Sequence, residues 1–418
     1  MNTNNRLLKI AMVCLLCICH ISLADEFHYN NILIGDRASG MGGAYTAISD
    51  DASGMFYNPA GIIYVTDRNF SASVNAYTAQ TKTYDNVIGG QPFVRKSSAL
   101  LANYFGIVKP IGNYKFGFSY AVPDSVGEDL NLTVHNTPSF PQDFTINLSN
   151  RDNTYNWGPS LAMAINSDLA LGVTLYVHQR EVLIIQNQFL ARNDPTYQWS
   201  NSYFTLKESG LKPIVGIVWS PVEKLSLGAT LSSTLLFSSS SSFQYTCVDT
   251  LDTANCSVIS PIKNIPFQTL AFSSSETPRK YPIRVAVGAA YFANSNLLLS
   301  SDFTFHTAVA DPVYGDKVAT LDAAFGTEYY LSKKWAVRGG LFTNVANTPP
   351  IVAGVTNIEE HINLYGGSLS FTHFSGDSSV TIGGNISYGK GQAQIGTSIN
   401  EVQSASTFGW TMFLSSSY

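Results

Sequence analysis

The sequence predicts an all-β fold: a fourteen-stranded antiparallel transmembrane β-barrel with an N-terminal hatch, or plug, inside the lumen. Three observations predict it. Apolar residues recur with period two from about residue 69 to the end of the chain. Short and long connections alternate strictly between the apolar stretches. Only 13% of the 418 residues are charged, against 45% hydrophobic and 12% aromatic, whereas a soluble domain carries about a quarter charged residues. Composition alone would suit a secreted β-sandwich equally well; the sorting of the connections separates the two. Outer-membrane barrels have short periplasmic turns and long outer loops, and a sandwich has no reason to sort its loops that way.

The elements follow in chain order. Arg6 and Lys9 precede an apolar stretch from Ile10 to Ile21, then Ser22-Leu23-Ala24, a small-x-small cleavage site. Residues 1–24 therefore read as a secretory signal peptide, with Asp25 next. Beyond it, no apolar run reaches the roughly 18 residues of a helical span.

Residues 25–68 do not alternate. Within them, GDRASGMGGAYTAISDDASGMFYNPAGI at 35–62 is rich in small residues, and its glycines permit turns that other residues resist. Asp50 and Asp51 can cap a short helix over 52–57, which Pro59 ends. A barrel of about fourteen strands leaves an open lumen unless something fills it. The apolar side chains Met41, Tyr45, Ile48, Met55, Phe56, Tyr57 and Ile62 argue that this segment packs there instead of forming a disordered tail.

Residues 69–418 read as the barrel. Tyr114, Phe116, Phe118 and Tyr120 oppose Lys115, Gly117 and Ser119; Leu169, Leu171, Val173 and Leu175 oppose Ala170, Gly172 and Thr174. One face of each strand is thus greasy, the other small or polar. Strands are expected near 69–79, 97–108, 113–122, 155–166, 168–180, 203–219, 223–237, 281–293, 297–306, 318–331, 334–345, 361–373, 378–389 and 405–418. Short links fall at 110–113, 166–168, 220–224, 294–296, 332–334 and 374–378. Long polar stretches fall between, notably 123–154 and 238–280, which are expected to form the outer binding loops. Trp219, Tyr291, Phe292, Tyr329, Tyr330 and Trp335 gather beside the short turns as an interfacial girdle. Cys247 and Cys256 read as one short-loop disulfide in an exported chain. The final segment, with Phe408, Trp410, Met412, Leu414 and Tyr418 on one parity, resembles the C-terminal assembly signal of outer-membrane proteins, which implies the barrel-assembly machinery and outer-membrane lipid, with its lipopolysaccharide, as partners.

The segment at 35–61, just after a signal peptide, resembles the N-terminal region of the long-chain fatty-acid transporter family, FadL/TodX type. The resemblance implies a fourteen-stranded outer-membrane barrel with a hatch, uptake of a hydrophobic small molecule (a fatty acid or hydrocarbon), and sideways exit at a kinked third strand. It also implies a transport role for an Asn-Pro-Ala motif, matched by Asn58, Pro59 and Ala60, with Gly61 following. Gly117, the glycine inside the third expected strand, is the candidate for the wall kink. Lys115, Lys212, Arg284, Asp302, Asp322, Glu328 and Arg338 fall on the lumen parity; a basic one could meet a carboxylate head, though mutual ion pairing is the plainer role.

Other classes find little support. A net charge of −5 offers no basic field for nucleic acid. No G-x-S-x-G, phosphate loop or H-E-x-x-H occurs, and the seven histidines are scattered, so no catalytic residue, metal ligand or cofactor is expected. His373-Phe374-Ser375 is a faint match to outer-membrane phospholipases, in a short turn with no polar partner. The rival reading is a membrane anchor or shuttle subunit of a secretion apparatus.

Overall fold

The computed structural model describes residues 27–65, 70–88, 90–135, 143–192, 194–251, 268–312, 314–355, 359–395 and 401–418. The expected signal peptide lies outside these.

The wall comprises β1 (Phe70–Ile88), β2 (Gln91–Ile111), β3 (Tyr114–Val134), β4 (Asp143–Ala164), β5 (Leu169–Ala191) and β6 (Tyr197–Val222). It continues with β7a (Leu225–Ser232), β7b (Leu235–Asp249), β8a (Gln268–Ser275), β8b (Arg284–Asn294), β9 (Leu297–His306) and β10 (Thr320–Ser332). Four strands complete it: β11 (Trp335–Asn344), β12 (Glu360–Ser375), β13 (Ser378–Ala393) and β14 (Gln403–Ser417). β7a and β7b lie end to end along β6, and β8b and β8a lie along them. The sixteen hydrogen-bonded segments are therefore fourteen wall strands. Each pairs antiparallel with its chain neighbour, and β1 pairs with β14, which closes the ring.

Alternation explains the wall. On the outside, Trp157, Leu161, Val173, Val215, Ile217, Phe303, Phe325, Leu369, Ile386 and Met412 form an exposed apolar band. A closed sheet satisfies every strand edge, which is the condition for crossing lipid with β-structure. Trp219, Tyr291, Phe292, Tyr329 and Trp335 lie outward beside the short turns. Tyr330 differs: it is half-buried and stacks on Phe374, with ring centroids 5.9 Å apart.

The strands are much longer than the sequence suggested. β3 to β6 run for 21, 22, 23 and 26 residues, about twice what a bilayer needs. Within the stretches read as long outer loops at 123–154 and 238–280, residues 123–134, 143–154, 238–249 and 268–275 are strand. Above the apolar band the pattern inverts. On β4, Tyr155 and Trp157 face outward within the band, but Asn147, Ser149 and Arg151 face outward above it. Its inward residues there are Phe144, Ile146 and Leu148, all buried. With Val182, Ile184, Phe204 and Leu206 they form apolar clusters in the upper bore, beside the buried ion pairs of Arg95 with Glu128, Lys82 with Glu360 and Arg180 with Asp152. The upper wall is thus built more like a water-soluble sheet, polar outside with a packed inner face of apolar clusters and ion pairs.

Residues 27–65 run down the bore. Near the long-strand rim, Phe27 O accepts from Asn347 N at 2.7 Å, and His28 Nε2 lies 2.7 Å from Ile362 O. At the short-turn rim, Lys115 Nζ donates to Val65 O at 2.7 Å. Between them lie α1 (Asp36–Gly40), α2 (Gly54–Tyr57) and a 3-10 turn at Pro59–Tyr64. Ile34, Met41, Tyr45, Met55 and Ile62 are fully buried against Tyr104, Val108, Ala121, Ala162 and Ala290 of the wall. Each large side chain so buried contributes about 1.5–3 kcal/mol.

Candidate functional site

The wall makes room for the segment with glycines. A Cβ on Gly216 would collide with Asn58, one on Gly172 with the Pro59–Ala60 backbone, and one on Gly340 with Met41. Asn58 is completely buried. Its Nδ2 donates to Thr46 O at 2.8 Å and to Ile217 O of β6 at 2.9 Å, while its Oδ1 accepts from Ala60 N at 3.1 Å. The asparagine therefore caps the 3-10 turn and ties it both to the segment and to the wall. Pro59 occupies the first position of that turn, where no N–H is required. Gly61 packs so closely on the Ser49 carbonyl that a side chain would not fit.

Most lumen charges nominated from the sequence are engaged with the segment. Glu328 receives Arg338 Nε at 2.7 Å and Arg37 Nη2 at 2.7 Å, and Arg37 also pairs with Asp50. Asp302 Oδ2 accepts the amides of Tyr45 and Thr46 at 2.9 and 2.7 Å. Asp322 accepts from Val345 N at 2.8 Å and from Asn30 Nδ2 at 3.3 Å. Burial, followed by the charge of Asp36, raises the pKa of Asp51 in the segment, against hydrogen bonds from Ser53.

Two cations are left over. Lys212 on β6 lies over the Phe56 ring, its Nζ 5.3 Å from the centroid. Arg284 on β8b reaches only Thr230 Oγ1, at 3.4 Å. Neither has a carboxylate within ion-pair distance among the described residues. Both line a cavity of about 240 Å³ between the segment and the strands from β3 to β11. Phe56, Tyr57 and Ile214 supply apolar surface; His178 and His306 flank the cations, and Tyr29 packs on His306 with ring centroids 4.3 Å apart. Asp302, Asp322, Arg180, Arg279, Lys280 and Lys317 complete a lining that joins apolar surface to charged groups, as small-molecule sites with polar anchors do.

The wall beside the cavity is interrupted. β2 and β3 pair from Ile111/Tyr114 to Tyr104/Ala121, then not again until Ser97/Glu128. On its other edge β3 carries a bulge between Ala121 and Asp124 against β4. Pro123, which has no N–H to donate, sits in that bulge, and its carbonyl takes Ile32 N of the segment at 3.1 Å. Pro123 and Asp124 line the cavity, and Leu100 is exposed on the other lip. The break in pairing therefore lies in the wall between the cavity and the lipid-facing side. Gly117, the candidate read from the sequence, lies below it in unbroken pairing with Val108 and Ser160; its missing side chain makes room for Met55.

Cys247 is fully buried on β7b and disulfide-bonded; Cys256 lies outside the described residues. His373 packs against Trp335 with ring centroids 4.6 Å apart and the rings tilted by 55°. Sequence reasoning did not single out His178, His306 or Pro123, although a proline inside an alternating strand is itself a sign of broken pairing.

No family model matches the sequence, and no curated protein sequence matches it. Solved structures do. A Pseudomonas aeruginosa FadL homologue superposes with a TM-score of 0.64 at 16% identity, over 94% of this chain and 99% of that one. The P. putida toluene transporter TodX gives 0.59 at 14% identity, over 92% and 98%. The Ralstonia pickettii toluene transporter TbuX gives 0.56 at 13%, over 93% and 99%. The chain therefore has the fold of the FadL and TodX type of outer-membrane channel, along almost its whole length.

Proposed function

We propose that the protein is an outer-membrane transporter that takes up hydrophobic molecules, with an amphiphile bearing a carboxylate, such as a long-chain fatty acid, as its favoured class. The observation that carries this reading is the β2–β3 break in pairing beside a cavity that holds Lys212 and Arg284. Half-buried cations without a carboxylate partner are costly, and a carboxylate head would satisfy both. Each buried methylene of the tail would contribute about 0.8 kcal/mol. Names of the structural neighbours, a FadL homologue and toluene transporters, support passage of a hydrophobic compound.

In this reading residues 27–65 act as the hatch, with Asn58-Pro59-Ala60-Gly61 as its anchor to β5 and β6. The ligand leaves the cavity sideways between β2 and β3 into the membrane, so the bore never opens to water. The protein acts as a channel, not an enzyme, and its partners are the ligand, outer-membrane lipid and lipopolysaccharide, and the barrel-assembly machinery.

The test is growth on a long-chain fatty acid in an uptake-deficient host, with a reversible cross-link across the break in the doubly substituted variant Leu101→Cys/Asp124→Cys. The expected result is growth with the reduced protein and none with the cross-linked one. Purified protein that binds neither fatty acid nor apolar dye, and supports no growth, would return the reading to an anchor or shuttle subunit.

A further inference from the structure

The wall has a second interruption, on the far side of the cavity from the first. β7 and β8 pair at Ser232/Arg284 below and at Ser241/Ser275 above. The register is the same on both sides of the gap, so the two strands face each other across it without a ladder. The upper lip is held elsewhere: β7b stays paired to β6 from Leu235/Leu211 upward. The opposite lip, residues 276–283, is tied to the chain beyond β9. Thr307 N donates to Ile283 O at 3.0 Å, Lys280 N to Asp311 Oδ2 at 3.0 Å, and Tyr314 OH to Thr277 O at 3.0 Å. Pro278 and Pro282 lack the donors that a ladder would need. At the lower corner Ser233 Oγ donates to Pro282 O at 3.2 Å.

Three features make this slit different from a packing defect. Its inner edge, Ser233, Thr234 and Arg279 to Pro282, lines the same cavity as Lys212 and Arg284. Its outer lip carries Leu235 and Phe237, 59% and 68% exposed. And it starts at the top of the apolar band, where Leu211 of β6 pairs with Leu235. Unpaired backbone groups are not tolerated in hydrocarbon but are tolerated at the wet interface, which is where the head of an amphiphile resides. The upper bore, by contrast, is closed by apolar clusters and by buried ion pairs, Arg95 with Glu128 and Lys82 with Glu360.

We propose that the β7–β8 slit is the way in, through which an anionic amphiphile passes head first from the outer interface into the cavity. The proposal rests on the reading of the cavity as a carboxylate site. Lys280 and Arg279 at the slit lead to Arg284 and Lys212 within, a run of cations interrupted by the Glu208 and Asp311 carboxylates along which an anion is drawn inward. The β2–β3 break presents Asp124 instead, and so disfavours admission of an anion there. Across the inside of the slit, Tyr281 OH donates to Glu208 Oε2 at 2.9 Å, and Arg279 Nε lies 3.5 Å from Glu208 Oε1. This contact forms a latch that the incoming carboxylate competes with for Arg279.

The experiment uses the full-length barrel in detergent and a fluorescent long-chain carboxylate, anthroyloxy-stearate, followed by stopped flow. Equilibrium binding to the unmodified protein comes first; no binding would overturn the cavity reading and the proposal with it. Given binding, a reversible cross-link in Leu236→Cys/Lys280→Cys is expected to slow association at least about tenfold, with recovery on reduction. A cross-link across the β2–β3 break in Leu100→Cys/Ser125→Cys, which face each other in the register of Tyr104/Ala121 and Ser97/Glu128 and do not line the cavity, is expected to leave association unchanged. Independently, Tyr281→Phe is expected to speed association several-fold by loosening the latch. Binding that proceeds at the same rate with the slit closed, or that is slowed only by the β2–β3 cross-link, would overturn the proposal while leaving the cavity reading intact.

Discussion

At the scale of single residues, the test of a binding role is whether a substitution lowers affinity without lowering stability. Lys212 and Arg284 are lumen cations with no carboxylate partner among the described residues. Replacing Lys212 or Arg284 by Gln should weaken binding of a long-chain carboxylate by about 1.5–3 kcal/mol, the worth of a hydrogen bond to a charged group. Binding of a neutral hydrocarbon should not change. Because a half-buried charge without a carboxylate partner is removed, the thermal unfolding temperature should stay the same or rise; a fall would mark a structural role. Asn58 is the opposite case. Asn58→Ala strips the bonds to Thr46 O and Ile217 O and leaves both acceptors buried, at about 1–3 kcal/mol each. The heat-modifiable barrel should persist while uptake falls. Asp51 supplies the pH dependence. Its pKa is raised in the packed segment, so packing binds its proton more tightly than release does. Packing is favoured at pH values below the ordinary carboxylate pKa and weakens as pH rises through the raised one. Protease protection of the segment should fall across that window, and Asp51→Asn should flatten the dependence. Of these residues, only Asn58 stood out in the sequence by its motif. Lys212 and Arg284 were visible as lumen-parity charges, but so were Glu328 and Arg338, which pair with each other. Which charge lacks a partner depends on cross-strand register, and alternation alone does not fix register.

Among the elements, the short-turn half of every strand could be read directly, because lipid outside and small or polar residues inside give a clean two-residue period. The upper halves could not. On β4 the apolar parity changes faces between Leu148 and Tyr155, as the surroundings change from lipid to water outside and from packed segment to apolar core inside. A window spanning that switch shows polar residues on both parities and reads as loop. The same confusion displaced the wall break: Gly117 was chosen as the flexible residue, whereas the loss of pairing follows the missing donor of Pro123. The glycines of the wall have another role, to admit the segment. Gly216→Val should push the 3-10 turn off β6 through Asn58, leaving the strand pairing intact. The measurable consequence is increased sensitivity of cells to large antibiotics, with an unchanged amount of folded barrel in the membrane.

For the whole molecule, the wall and the segment inside it make separable demands. The ring is closed by strand pairing all round and by an apolar outer band, neither of which involves residues 27–65. The segment fills a bore that a ring of fourteen strands would otherwise leave open to water. Removing residues 36–64 should therefore yield a barrel that still inserts, because Glu328 and Arg338 remain paired to one another and the vacated glycine-lined wall can hydrate. Such a barrel should conduct ions in a planar bilayer as a wide, weakly selective pore, whereas the intact chain should conduct almost nothing. It should also lose saturable binding of a fluorescent fatty acid, since Phe56 and Tyr57 form part of the cavity. Conductance that stays low after the deletion would mean that the wall holds itself shut, and the packed segment would then be a folding scaffold and not a hatch. High conductance with fatty-acid binding retained would move the site off the segment altogether, onto β6 and β8 alone.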